Sequence, residues 1–481
     1  MVGWHWKIAL VAMLLGGAQV VADDGTETSS IRWQGDDAPS LAKIERHLRG
    51  QRDQLMETLS PKAKRGYLHL VESVYLPSDF DQEIVAEIDR QGNRGMDFLD
   101  GRIERDSPFW SRFGLTARPD QPTKPMQYVV TEEGKYVMNC FACHGGSLYG
   151  VSYPGLPNNL YALESLTEQV RRVKLSMNKP LGHMDVGSMA MPLGTSVGTS
   201  NAVMFGVALM NYRDADLNIY PLRTPAYLVN HDMDAPPWWH FAKKSHLYID
   251  GFAEKGHRGL MQFMMVKQNG PKQFQGWEDD FRDVYAFLQE LKAPRFPLDV
   301  ESEKASRGKI VYEQKCADCH GTYGARGDYP ERVIAISEVG TDPIRHQALT
   351  TRHRESYARS WFADYGKQDT KVEVEGYVAP PLDGIWASAP YFHNGSVPTL
   401  WHVLHPEARP TVWKRTHLGL DWERMGLKVE EFEVVPSKLN AEQRRWYFDS
   451  RQTGKSNRGH DFPSSLEESQ KNDLLEYLKT L

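Results

Sequence analysis

The chain has 481 residues, with 57 Lys plus Arg against 63 Asp plus Glu, a formal charge of −6. That length exceeds one small core and points to two domains, or two and an extension. A hydrophobic content of 40% with 25% charge excludes a largely disordered chain, and the near-balance of charge gives no signal for a nucleic-acid partner.

In chain order, the first element is "MVGWHWKIALVAMLLGGAQVVADDG". Lys7 is a short basic start, Ile8 to Gly17 an apolar run, and Val20-Val21-Ala22 a small-residue end before Asp23. This predicts a secretory signal over residues 1–22, and hence a protein that is periplasmic or otherwise exported. The alternative is an uncleaved anchor, but the run falls short of the ~20 residues that span a bilayer. No later stretch is apolar enough, so no membrane span is expected after cleavage. Residues 23–125 are expected to form a helical N-terminal extension. Its helices are "SLAKIERHLRGQRDQLMETLS" (40–60) and "DFDQEIVAEIDRQG" (79–92), both with apolar residues at helical spacing.

Two motifs follow. "NCFACHGG" occupies residues 139–146 and "KCADCHG" residues 315–321. Together they use all four cysteines: Cys140, Cys143, Cys316 and Cys319. C-x-x-C-H is the attachment spacing of c-type haem. On one helical turn, residues three and four apart share a face. Two thiols can therefore reach a porphyrin edge while His144, or His320, reaches the iron. A redox dithiol would not need the histidine, and zinc would need further ligands at matching spacing. The expectation is two covalently bound c-type haems, each with its iron, on Cys140, Cys143, His144 and on Cys316, Cys319, His320.

The surroundings of the motifs repeat. "SEKASRGKIVYEQK" (302–315) reads as a helix leading into the second motif, and "TEEGKYVMN" (131–139) as a shorter version leading into the first. "DVYAFLQEL" (283–291) and "DLLEYLKTL" (473–481) read as matching closing helices. "KAPRFPLD" (292–299), with its two prolines, reads as the linker between them. The predicted fold is mainly α. It comprises a first cytochrome c-like haem domain at 126–293 and a second at 296–481, both with long loops. A further echo pairs "APPWWHF" (235–241) with "APYFHNG" (389–395) as a rigid aromatic turn near each haem. His240 and His393 in these turns read as hydrogen-bonded structural groups.

"VAPPLDGIWASAPYFHNGSVPTLWHVL" (378–404) resembles the C-terminal signature of the bacterial di-haem cytochrome c peroxidase superfamily. "DAPPWWHFAKKSHLYIDGF" (234–252), "RPTVWKR" (409–415) and "GKSNRGHDF" (454–462) are more similar to its rubber-oxygenase-like branch. The resemblance spans most of residues 130–481. It implies an oxidoreductase whose N-terminal haem activates peroxide or dioxygen, with the C-terminal haem supplying or storing electrons. An organic substrate and a redox partner protein are compatible with it. It also implies that His460, in Gly-His-x-Phe, is the sixth ligand of the second haem. Trp238 and Trp239 fall where the family places aromatics near or between the haems, as a catalytic relay. For the far side of the first haem, "LGHMDVGSMAMPL" (181–193) offers His183, Met184, Met189 and Met191; the methionines also suit core filling. The competing reading is a non-catalytic di-haem electron carrier with both irons closed. A gas-sensing or partner-binding haem protein has no residue pattern behind it.

Overall fold

The computed structural model describes residues 38–91, 109–220, 224 and 228–481. The signal expected at 1–22 lies outside them. Helix dominates, at 44% against 13% strand, which agrees with a mainly α chain carrying a helical N-terminal region. Among the described residues no helix is long and apolar enough to cross a membrane.

The helix Ala38–Thr58 buries Ile44, Leu48 and Leu55 on one face. Ser60 ends the turn after it and caps the next helix, Pro61–Glu72: its hydroxyl accepts from the Ala63 N–H at 3.2 Å, and Pro61 fills the first position, where an N–H has no partner. This second helix crosses the closing helix Glu278–Glu290. At the crossing a Cβ on Gly66 would stand 2.1 Å from the Asp283 carbonyl oxygen, and Arg65 Nε donates to Asp283 Oδ2 at 2.7 Å. The C-terminal half repeats the construction. Ser302–Lys315 crosses Glu468–Leu478, where a Cβ on Gly308 would stand 1.9 Å from the Asp473 carbonyl oxygen. Arg307 Nε donates to Asp473 Oδ2, again at 2.7 Å. Arg-Gly thus marks both crossings, because only glycine lets two helix backbones approach so closely.

This duplication differs from the expected one. The closing helices and the linker form as anticipated; the linker's Arg295 exchanges two hydrogen bonds with the Gln51 side chain. The helix paired with Glu278–Glu290 is Pro61–Glu72, within the stretch expected as an extension. Residues 131–139 are not a short leading helix. Lys135–Met138 is the central strand of an antiparallel sheet, between Phe80–Asp81 and Tyr128–Val130. Gly134 is its turn residue, at φ +71°, whereas Gly308 is helical. The shared Gly-Lys and apolar pair therefore carries two conformations.

A second sheet was not anticipated. Val412–Asp421 pairs antiparallel with Gly426–Phe432 and Tyr447–Asp449. Trp413 of this sheet stacks on Phe448 at 5.2 Å and donates to the Ser396 carbonyl, fixing the sheet to the 390s loop. The halves are also clipped together by a buried ion pair: Lys455 Nζ lies 3.1 Å from Asp232 Oδ2.

Candidate functional site

Each C-x-x-C-H lies on a four-residue helix, Phe141–His144 and Ala317–His320. Asn139 starts the first: its Oδ1 accepts from the Phe141 N–H at 2.9 Å, and its Nδ2 donates to the Met126 carbonyl. The second continues from the Ser302–Lys315 helix, and Tyr312 on that helix donates its hydroxyl to the Gly321 carbonyl.

The two histidines are held alike. His144 Nδ1 lies 3.0 Å from the Pro236 carbonyl oxygen, and His320 Nδ1 lies 2.8 Å from that of Pro380. Burial holds both imidazoles below their ordinary pKa, His144 at about 4, against the opposing pull of these carbonyls. A neutral ring whose Nδ1–H donates to a carbonyl presents its Nε2 lone pair to a metal, the arrangement that fixes the tautomer of a ligating histidine. Both acceptors belong to Ala-Pro-Pro, at 235–237 and 379–381. The true counterpart of "APPWWHF" is therefore "APPLDGI" and not "APYFHNG". The earlier pairing matched aromatic side chains, whereas the structure repeats a backbone carbonyl. His144 and His320 each keep part of their surface accessible.

His460 stands opposite His320, with ring centres 6.1 Å apart. A metal bonded to one nitrogen of each ring at about 2 Å would separate the centres by roughly 6 Å. His460 Nδ1 is buried with no hydrogen-bond partner among the described residues. Burial first, then His320 and Arg409, push its pKa down to about 3, so the ring is neutral. The loop that presents it turns at Gly459 and His460, at φ +82° and +52°. Its N–H donates to the Val339 carbonyl at 2.6 Å. Arg409 pins the loop by donating to the Asn457 and Gly459 carbonyls at 2.8 and 2.7 Å, with its guanidinium 4.9 Å over Phe392.

On the first motif's side, Trp238 stacks on His144 at 4.6 Å and 22°. Trp239 is buried and donates its indole N–H to the Asp383 carbonyl at 2.7 Å. His240 Nε2 shares that carbonyl at 3.0 Å, which is the structural role expected of it. Gly384 follows at φ +61°, and a Cβ there would press on the Trp239 ring at 3.2 Å. The two tryptophans therefore link His144 to the loop that orients His320. His393 packs against Tyr377 at 4.7 Å, and its carbonyl accepts from the Asp234 N–H.

The residues offered for the far side of His144 have other neighbours. His183 Nε2 faces Asp79 Oδ1 at 3.7 Å. Met184 lines a cavity of about 10 Å³ with Asp79, Phe80 and Tyr128, room for one water at most. Met189 is 67% exposed, while Met191 is buried in the core. Among the described residues, no second histidine ring pairs with His144 as His460 pairs with His320.

The residues fit c-type haem better than its alternatives. Burial raises Cys140 and Cys316 to about 12 and Cys143 to about 11, the reverse of the activated thiolate a redox dithiol needs. All four cysteines are unpaired. Among the described residues no three His, Cys, Asp or Glu side chains converge as a metal cluster, so zinc gains no support. The sequence reading missed Pro236, Pro380, Asp383 and Arg409; the repeated Ala-Pro-Pro was the available signal for the first two.

Comparison with known proteins agrees at the level of class. Residues 376–414 match the family described as RoxA-like, cytochrome c-like, a stretch that includes Pro380, Asp383 and Arg409. The match supports a cytochrome c-like domain and, with it, a c-type haem and its iron. The chain is also 28% identical over 240 residues to the uncharacterized protein y4iM of Sinorhizobium fredii (strain NBRC 101917 / NGR234), covering 41% of this chain and 53% of that protein. It is 26% identical over 257 residues to the uncharacterized protein y4iJ of the same organism, covering 40% and 41%. The chain thus spans about half the length of these relatives, or less.

Proposed function

We propose that the chain is an exported di-haem c-type cytochrome acting as an oxidoreductase. Cys140, Cys143 and His144 would hold one haem. Cys316, Cys319, His320 and His460 would hold the other. A haem with an accessible iron face can bind and activate peroxide or dioxygen, while one closed by two axial histidines passes or stores electrons. The observation that carries this reading is the asymmetry between the two histidines. His320 faces a second neutral imidazole at 6.1 Å, whereas His144 stacks on Trp238 and no second histidine ring faces it among the described residues. Burial keeps each ring neutral, and the matched Pro236 and Pro380 carbonyls favour the tautomer with the proton on Nδ1, which leaves Nε2 for iron.

Carbon monoxide binding tests the enzyme reading. The half-reduced and fully reduced proteins are each exposed to the gas, and absorbance is followed for both haems. Binding at one haem only, the one on His144, is the expected result. Refusal at both haems in both redox states would leave an electron carrier.

The same reading gives Trp238 and Trp239 the role of an electron relay. It is supported by the ring stack on His144 and by the indole hydrogen bond into the His320 loop. Exchanging each tryptophan for phenylalanine is expected to slow electron equilibration between the haems about tenfold or more, measured by flash photolysis of the partly reduced, carbon monoxide-bound protein. Unchanged rates in both variants refute the relay.

A further inference from the structure

A cluster of buried charge, Asp250 with Arg345 and Arg354, takes no part in the proposed function. Asp250, Arg345 and Arg354 are 0%, 1% and 4% exposed. Both guanidiniums converge on one oxygen: Arg345 Nη1 lies 3.3 Å and Arg354 Nη2 3.0 Å from Asp250 Oδ2. Three further guanidinium nitrogens, Arg345 Nε and Nη2 and Arg354 Nε, are buried with no partner among the described residues. The Tyr248 and Tyr357 hydroxyls and His231 Nε2 are in the same state.

Guanidinium stays charged at any relevant pH. Burying such a charge unpaired is costly, and folded chains rarely leave several donors orphaned in one place. The other acid of this region, Asp342, does not answer the need. Its oxygens accept from the Ile344 and Ser456 backbone N–H groups, and it forms no ion pair with either arginine among the described residues. Lys244 donates to the Tyr248 carbonyl and has Glu331 as its strongest opposing charge. With Asp250 Oδ1 the one orphaned carboxylate oxygen beside them among the described residues, the cluster presents several free donors to something anionic.

We infer that Arg345 and Arg354 bind a carboxylate, and that it is a propionate of the haem held by Cys316, Cys319 and His320. The inference rests on the two-haem reading above. Position supports it. Gly340, five residues before Arg345, packs on Gly459 next to His460. Phe392, 6.1 Å from the His460 ring, precedes His393, which packs on Tyr377; the Tyr377 hydroxyl accepts from the N–H of His346, the residue after Arg345. The closure of the site also favours a tethered carboxylate, since groups this buried offer a free anion no ready entry. A planar fork of N–H donors suits carboxylate geometry.

The test is spectroelectrochemical titration of the full-length, haem-loaded protein and three variants: Arg345→Gln, Arg354→Gln and Asp250→Asn. Removing a buried cation near the iron favours the ferric state. Each arginine variant should shift the Fe(III)/Fe(II) equilibrium of the second haem about tenfold toward ferric, 59 mV lower for one electron. Asp250→Asn removes a negative charge and should shift the same haem the other way. If one arginine variant does not fold, the remaining two still decide. A merely structural cluster would lower the denaturation midpoint and leave the potential unmoved, which overturns the inference. A shift confined to the first haem overturns it too. Haem counted per wild-type chain tests the underlying reading separately. If the second haem is missing, both readings fall. If it is present and its potential stays put, only the arginine assignment falls.

Discussion

Replacing His460 by alanine is expected to convert one of the two haems from low spin to high spin, leaving the other unchanged. Electron paramagnetic resonance and absorbance of the ferric protein would measure it. Two neutral imidazoles facing each other at 6.1 Å suit a six-coordinate iron, and alanine offers no ligand in place of one of them. The backbone need not collapse with the side chain. Arg409 holds the Asn457 and Gly459 carbonyls, and Val339 accepts the N–H of residue 460 itself. His460 does sit at φ +52°, where a β-carbon is tolerated at a cost of order 1 kcal/mol, so alanine inherits a strain already present. Survival of the low-spin signal would mean that another residue ligates.

The second large effect is on stability. Asp232→Ala should cost about 3–5 kcal/mol, the range for breaking a buried ion pair and leaving its partner charged. Lys455 and Asp232 are both at or below 2% side-chain exposure. Asp232 also accepts from the Thr195 and Thr199 hydroxyls and from the Thr195 and Ser196 N–H groups. Denaturant titration of the holoprotein checks the loss, and the double change Asp232→Ala with Lys455→Met should recover much of it, because no orphaned charge remains. The pH dependence has a definite sign. Burial alone would raise the Asp232 pKa, but Lys455 and the two hydroxyls outweigh it and hold it below its ordinary 3.8. Its contribution is therefore complete above pH 3.8 and is lost as pH falls through the lower folded value. The gap between wild type and variant should narrow only in that acid range.

What could be read from the sequence was local. C-x-x-C-H places three groups on one turn, and its signal is complete within five residues. The closing helices and the proline linker show the same locality, through apolar spacing and helix-stopping residues. His460 came from a resemblance and not from spacing, since nothing within a few residues of it announces a partner at His320. The features missed share a cause. Arg65 reaches Asp283, Asp232 reaches Lys455, and Trp239 reaches Asp383, all across more than 100 residues, and such contacts leave no period in the chain. The strand at Lys135–Met138 failed differently. Gly-Lys followed by an apolar pair suits a helix or a strand equally, and Phe80–Asp81 and Tyr128–Val130, lying to either side, decided it. The Ala-Pro-Pro repeat was visible but was paired by the wrong criterion, since a carbonyl acceptor has no side-chain signature.

Those two carbonyls bear on the order in which the protein is assembled. Each acceptor comes after the histidine it orients, by 92 residues for Pro236 and 60 for Pro380. A chain emerging from its N-terminus therefore exposes each C-x-x-C-H while the group that will orient its imidazole has yet to be made. Thioether formation can proceed on an open, accessible segment, and orientation follows when the loop closes. The two closures differ by only about 0.4 kcal/mol in chain entropy, so neither half is favoured much by loop length. The order of synthesis then sets which histidine can meet its acceptor first, and the tryptophan pair joins the two loops only when Asp383 arrives.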